Sequence, residues 1–168
     1  MKLTTKRRGD DGFTLIELMV VVLVIAILLA IAIPTFLGAR KRAQDSVGKT
    51  SLRNALSAAA VMYTDAQSYA AADENATTGL PTVEPSLTYV ATGTTSAGPK
   101  SISVAASAGQ WSAAAKSDSG QCFTIRVTAA SGATTYGKFD TGAGGAPACS
   151  GTTANAVSGT GAAIGTTW

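Results

Sequence analysis

The sequence predicts an α+β chain. One long N-terminal α-helix, hydrophobic in its first half and amphipathic in its second, packs on a small antiparallel β-sheet of about four strands. Three observations predict it. Every residue from Leu18 to Ile33 is apolar. Leu52, Ala55, Leu56, Ala59, Met62, Tyr63 and Ala66 recur at spacings of three and four. Beyond residue 100, apolar residues alternate with small or polar ones in short runs separated by glycine. At 168 residues the chain suffices for one globular unit plus an N-terminal extension, whereas two independent cores would each be marginal.

Allowing for Thr14, Glu17, Pro34 and Thr35, the apolar stretch runs from Phe13 to Leu37. That is membrane-spanning length: about 20 apolar residues cross the hydrocarbon, while a cleaved secretory signal has a core of about 7 to 15. Length therefore disfavours an ordinary secretory signal, although Ala30-Ile31-Ala32 has the small-x-small form that a signal peptidase cuts. Charge leaves the orientation open, because Lys2, Lys6, Arg7 and Arg8 precede the span and Arg40, Lys41, Arg42, Lys49 and Arg53 follow it. The run Arg40-Lys41-Arg42 either touches phosphate headgroups or is a solvated flank.

Glu17 is the informative residue within this stretch. An ionised carboxylate in lipid costs several kcal/mol, so Glu17 takes a proton, meets a cation, or sits hydrated at headgroup level. Pro34 removes a backbone donor and crowds the preceding turn, which predicts a kink or a locally melted stretch there, with Gly38 a second weak point. From Phe13 to about Ala66 the helix would be on the order of 80 Å long.

The string GDDGFTLIELMVVVLVIAILLAIAIPTFLGARKRA resembles the N-terminus of type IV pilins and of the related pseudopilins of type II secretion and DNA-uptake machines. It has a short basic leader ending in Gly12, an aromatic Phe13, Thr14-Leu15-Ile16, Glu17, an unbroken apolar run, and Pro34 at the spacing of that family. The resemblance implies a pilin-like fold and three parts: a cleaved leader 1–12, a transmembrane and polymerisation helix 13–37, and a head 38–168. The head would include the amphipathic helix to about 69, a β-meander over about 101–140 and a disulfide-bounded C-terminal loop.

The same resemblance implies cleavage between Gly12 and Phe13 by a prepilin peptidase, N-methylation of Phe13, and pairing of Glu17 with the Phe13 amine of a neighbouring subunit. Glycine suits such a cut because its lack of a side chain admits an extended backbone to a narrow cleft. Implied partners are identical subunits, the peptidase, an inner-membrane assembly platform with its ATPase, and membrane lipid before assembly; nucleic acid would be met only through the assembled fibre. The implied location is the cytoplasmic membrane for the single-pass precursor, then an extracellular filament.

After Tyr69 the composition shifts to Ala, Thr, Ser and Gly, with Pro81, Pro85 and Pro99 marking turns in a connecting loop. Ile102, Val104 and Ala106 alternate, as do Trp111, Ala113 and Ala115, and Phe123, Ile125, Val127 and Ala129. Tyr136 and Phe139 suggest a fourth strand. Gly109, Ser119-Gly120 and Ser131-Gly132 fall between these runs where hairpin turns belong, so an antiparallel meander on the helix is expected.

The tail 141–168 is too rich in small polar residues to order itself by burial alone. Cys122 and Cys149, the two cysteines, lack zinc or CxxC spacing; they are free thiols in a reducing compartment and a disulfide in an exported protein. By resemblance to many type IV pilins the pair is bridged, pinning the tail to the Phe123 strand. Major secretion pseudopilins usually lack that bridge. Trp168 either packs back on the sheet or is free.

Composition argues against several functions. The net charge is +3, and four cations against two acids lie in the first twelve residues, so only +1 remains beyond Gly12 and no clustered basic nucleic-acid face is indicated. Histidine is absent, no Ser-x-x-Lys motif stands between a strand and a helix, and the acids beyond Gly12 form no close pair except Asp73-Glu74. An enzyme is therefore not expected, and no cofactor or metal cluster is indicated, although a carbonyl-rich loop for calcium, as in some pseudopilins, stays open. Three readings remain: a filament subunit, a pseudopilin of a secretion or competence machine, and a soluble secreted binding protein cut after Ala32.

Overall fold

The computed structural model describes residues 12–141 and 147–156, the backbone of 163–165, and residue 168. The leader cations Lys2, Lys6, Arg7 and Arg8 and part of the 141–168 tail lie outside these residues. By its internal contacts the chain divides into two compact units, one ending at Ala39 and the other running Arg40–Trp168.

Helix α1, Leu15–Ala66, contributes to both. In the first unit every described residue is exposed, and α1 is long and apolar enough to cross a membrane. The melted stretch expected at Pro34 is not there: the helix is assigned without a break through Pro34 and Gly38. A proline deletes only its own N–H bond, so the neighbouring rungs can persist, and Thr35 Oγ1 adds a bond to the Ile31 carbonyl at 3.0 Å.

In the second unit the buried stripe of α1 is Gly48, Ser51, Leu52, Ala55, Ala58 and Ala59, with Leu56, Met62 and Tyr63 half-buried beside it. The stripe begins one turn before the expected Leu52, because Gly48 and Ser51 are small enough for close approach: a Cβ on Gly48 would lie 3.6 Å from the Phe123 ring. The helix ends at Ala66 rather than near 69. Gln67 turns left-handed (φ 51°) and its N–H bonds the Tyr63 carbonyl at 2.7 Å, a single-residue helix stop.

The sheet has six strands in chain order: β1 Thr88–Val90, β2 Ser101–Ser107, β3 Gln110–Lys116, β4 Gln121–Thr128, β5 Thr134–Asp140 and β6 Ala163–Gly165. β1 pairs with β2 in parallel and all other pairs are antiparallel. The expected meander is β2 to β5, and Gly120 (φ 91°) and Gly132 (φ 64°) occupy turn positions that favour glycine. The two extra strands are three residues each, too short to carry a readable alternation.

Ile102, Val104, Trp111, Ala113, Ala115, Phe123, Ile125 and Val127 form the α1-side core, as their alternation predicts. Most of the intervening residues are also buried, Arg126 being half-buried. Ser103, Ser112, Ala114, Cys122 and Thr124 lie on the opposite face, where Ala114 and Cys122 cluster with Cys149 and with Ala154 of a second helix, α2, Gly151–Ala156. Trp168 packs onto the sheet. Its Nε1–H donates to the Gly137 carbonyl at 3.0 Å, and its ring stands edge-on to Tyr136 and Phe123.

A helix-capped acid and a bridged C-terminal loop

The predicted processing residues and Glu17 sit at the start of α1. Gly12 and Phe13 are exposed and precede the helix; Phe13 is 79% exposed. Thr14 caps the helix, and its Oγ1 accepts from the Glu17 backbone N–H at 3.3 Å while donating to Glu17 Oε2 at 3.4 Å. Thr14-x-x-Glu17 is thus a capping box whose return bond comes from the hydroxyl. Sequence reading could have found this cap from the S/T-x-x-E pattern alone. It holds the carboxylate over the first turn, where the helix dipole favours negative charge. Among the described residues Glu17 bonds only to Thr14, and Pro34 lies several turns further along; the structure does not bring the two together.

Cys122 and Cys149 form a disulfide with Cα atoms 5.6 Å apart. Around it small polar side chains join loop, sheet and α2. Ser103 Oγ accepts from the Gly151 N–H at 2.8 Å and donates to the Ala91 carbonyl at 3.2 Å. Ser96 Oγ accepts from the Lys116 N–H at 2.8 Å, and the Ser96 N–H donates to the Cys149 carbonyl at 2.8 Å. Gly151 has to be glycine, because a Cβ there would sit 2.6 Å from the Val104 carbonyl carbon. Sequence reading missed this clasp, since isolated serines and one glycine in a low-complexity tail carry no periodic signal.

Burial raises the Tyr89 hydroxyl above its ordinary range, and the Glu84 carboxylate raises it further. Among the described residues that hydroxyl has no hydrogen-bond partner. No group of three or more potential metal-ligating His, Cys, Asp or Glu side chains occurs among the described residues.

Residues 7–33 match the family model described as the prokaryotic N-terminal methylation motif. This match falls on the start of a membrane-length apolar helix that continues into an α+β unit. The chain is 47% identical over 62 residues to the type IV wide pilus major component PilA4 of Thermus thermophilus, covering 37% of this chain and 47% of that protein. It is 44% identical over 69 residues to the type IV major pilin protein PilA of Myxococcus xanthus, covering 41% of this chain and 31% of that one. The matches span less than half the length of either relative, and no solved structure matches the chain. The motif and both relatives show that the N-terminal region of this chain is similar to that of type IV pilins.

Proposed function

We propose that the chain is a structural subunit of a type IV pilus-like filament, cut between Gly12 and Phe13, N-methylated on Phe13, and assembled through its N-terminal helix. The observation that carries this reading is an apolar helix, exposed along its whole length to Ala39, with one carboxylate, Glu17, in its first turn. Burying a Leu, Ile, Val or Met side chain is worth about 1.5 to 3 kcal/mol, so this stretch is driven out of water into lipid or against identical helices.

Cleavage frees an ammonium on Phe13. In a low-dielectric surrounding that cation and the Glu17 carboxylate of a neighbouring copy offset each other's burial cost, while either left alone would oppose assembly. The precursor sits in the cytoplasmic membrane as a single span and meets the prepilin peptidase, the assembly platform and its ATPase there; the assembled product is extracellular. The disulfide-bounded C-terminal loop and the two relatives named as major pilus proteins favour a pilus over a secretion pseudopilus. In this role Pro34 is a feature of the packing helix, and the head displays the fibre surface rather than a catalytic centre.

The test is to sequence the main band of sheared surface fibres and weigh its N-terminal peptide. The expected result is abundant filaments of this chain beginning with N-methylated Phe13. A chain that keeps residues 1–12, or a soluble product beginning at Ile33, would refute the reading.

A further inference from the structure

Within the unit Arg40–Trp168, α1 carries opposite charge at its two ends. Arg40, Lys41 and Arg42 are exposed at its start, followed by Lys49 and Arg53, whose cations lie 5.0 and 5.1 Å from the Phe123 and Trp168 ring centres. Asp45, bonded by Ser119 Oγ, and its turn neighbour Asp118 offset part of this band. At the other end stand Asp65, in the last turn of α1, and Asp73, Glu74 and Glu84 in the segment that follows. Among the described residues no ion pair joins Arg40, Lys41, Arg42, Asp65 or Glu74 to another side chain.

Two shallow grooves run along one side of α1 between these ends. Val47 and Lys100 line the first, Val61, Val83 and Glu84 the second, and Asn54 lines both. Val47, Val61 and Val83 are 44, 51 and 40% exposed, and they are the large hydrophobic side chains left exposed among the described residues of this unit. Stepping by three or four residues from Arg40 through 43, 47, 50, 54, 57 and 61 reaches Asp65, so the unpaired cation and the unpaired acid share the face that carries the grooves.

We infer that this face is where a second copy of the same chain docks in the filament proposed above, with Arg40 of one copy against Asp65 of the next. The inference rests on that filament reading. Copies anchored in one membrane run parallel, so at zero offset Arg40 meets Arg40 and Asp65 meets Asp65, and both contacts repel. An axial offset of about 38 Å, the rise between the two positions, brings opposite charges level. Such a contact is head-to-tail and does not close on itself, as an open filament requires.

Arg40→Glu and Asp65→Arg test this, singly and together, in cells that make sheared fibres of the unsubstituted chain. Each single reversal is expected to leave processed subunit in the membrane and cut fibre yield about tenfold or more. The double variant is expected to recover most of the loss, because the pair is restored with its charges exchanged. Single variants that assemble normally, or a double variant no better than the singles, would overturn the contact while unsubstituted fibres keep the filament reading intact. Absence of fibres from the unsubstituted chain would remove the filament reading, and this contact with it.

Discussion

Along α1, Leu52, Ala55 and Ala59 are fully buried, whereas every residue of its apolar portion from Leu18 to Ile33 is exposed. The less hydrophobic segment finds its core within the chain, and the more hydrophobic one finds none there. The head meets its burial needs alone, with small residues close-packed on both faces of a sheet and a covalent bridge from β4 to the C-terminal loop. The N-terminal segment has no such core among the described residues, and in the proposed filament lipid or other copies supply it. Damage in one region should therefore spare the other.

The largest expected effect is at Glu17. Glu17→Ala should leave the precursor cut and membrane-bound, with the head melting unchanged, while fibre yield falls about hundredfold or more, since an unpaired buried ammonium costs roughly 3 to 5 kcal/mol. Counting fibres by electron microscopy beside a membrane blot checks it. Normal fibres from this variant would break the division of labour between the two regions.

Next comes the bridge. Replacing Cys122 and Cys149 by serine should lower head stability by about 3.5 kcal/mol on the loop-entropy estimate. Amide exchange should rise most in α2 and in the segments it clasps, less along the buried stripe of α1, and not in membrane anchoring. Equal loss of protection in α1 and α2 would mean that the clasp and the core are one cooperative unit.

How much of this was legible beforehand follows from the kind of signal each region carries. The span and the α1-side core each repeat a pattern over many residues, and Glu17 stands out as the one acid in the span. The far side of β2, β3 and β4 does not. Ser103, Ser112 and Thr124 read as the solvent side of half-buried strands, and only the fold reveals that they lie buried, two of them bonded to Gly151. The Thr14 cap was readable but hidden inside a motif that drew attention to Glu17.

Gly151 turns that lesson into an experiment. Gly151→Val would push a branched side chain into the backbone of β2, where even a Cβ is too close, and should cost about 1 to 3 kcal/mol by overpacking. The full chain in detergent should then unfold at lower urea, with α2 released first. An unchanged midpoint would show that α2 can lift off the sheet at little cost.

The smallest effect tests the head from the opposite direction, by improving it. Tyr89 belongs to the α1-side core, yet its hydroxyl is buried without a partner among the described residues, so Tyr89→Phe should keep the packing and raise stability by about 1 kcal/mol. The pH dependence gives a second readout. The fold favours the neutral phenol, while an unfolded chain ionises it near its ordinary value of 10.0. Its stabilising contribution is therefore whole below that pH and drains away as pH rises through it, by up to about 1.4 kcal/mol per unit. Tyr69, also raised by burial and by Tyr63, leaves a residual alkaline sensitivity in the variant. Urea midpoints of both proteins at pH 7 and pH 11 should thus diverge further at the higher pH. A gap that stays constant would mean that the Tyr89 hydroxyl reaches solvent when it ionises, and that this part of the core opens more readily than the α1 stripe beside it.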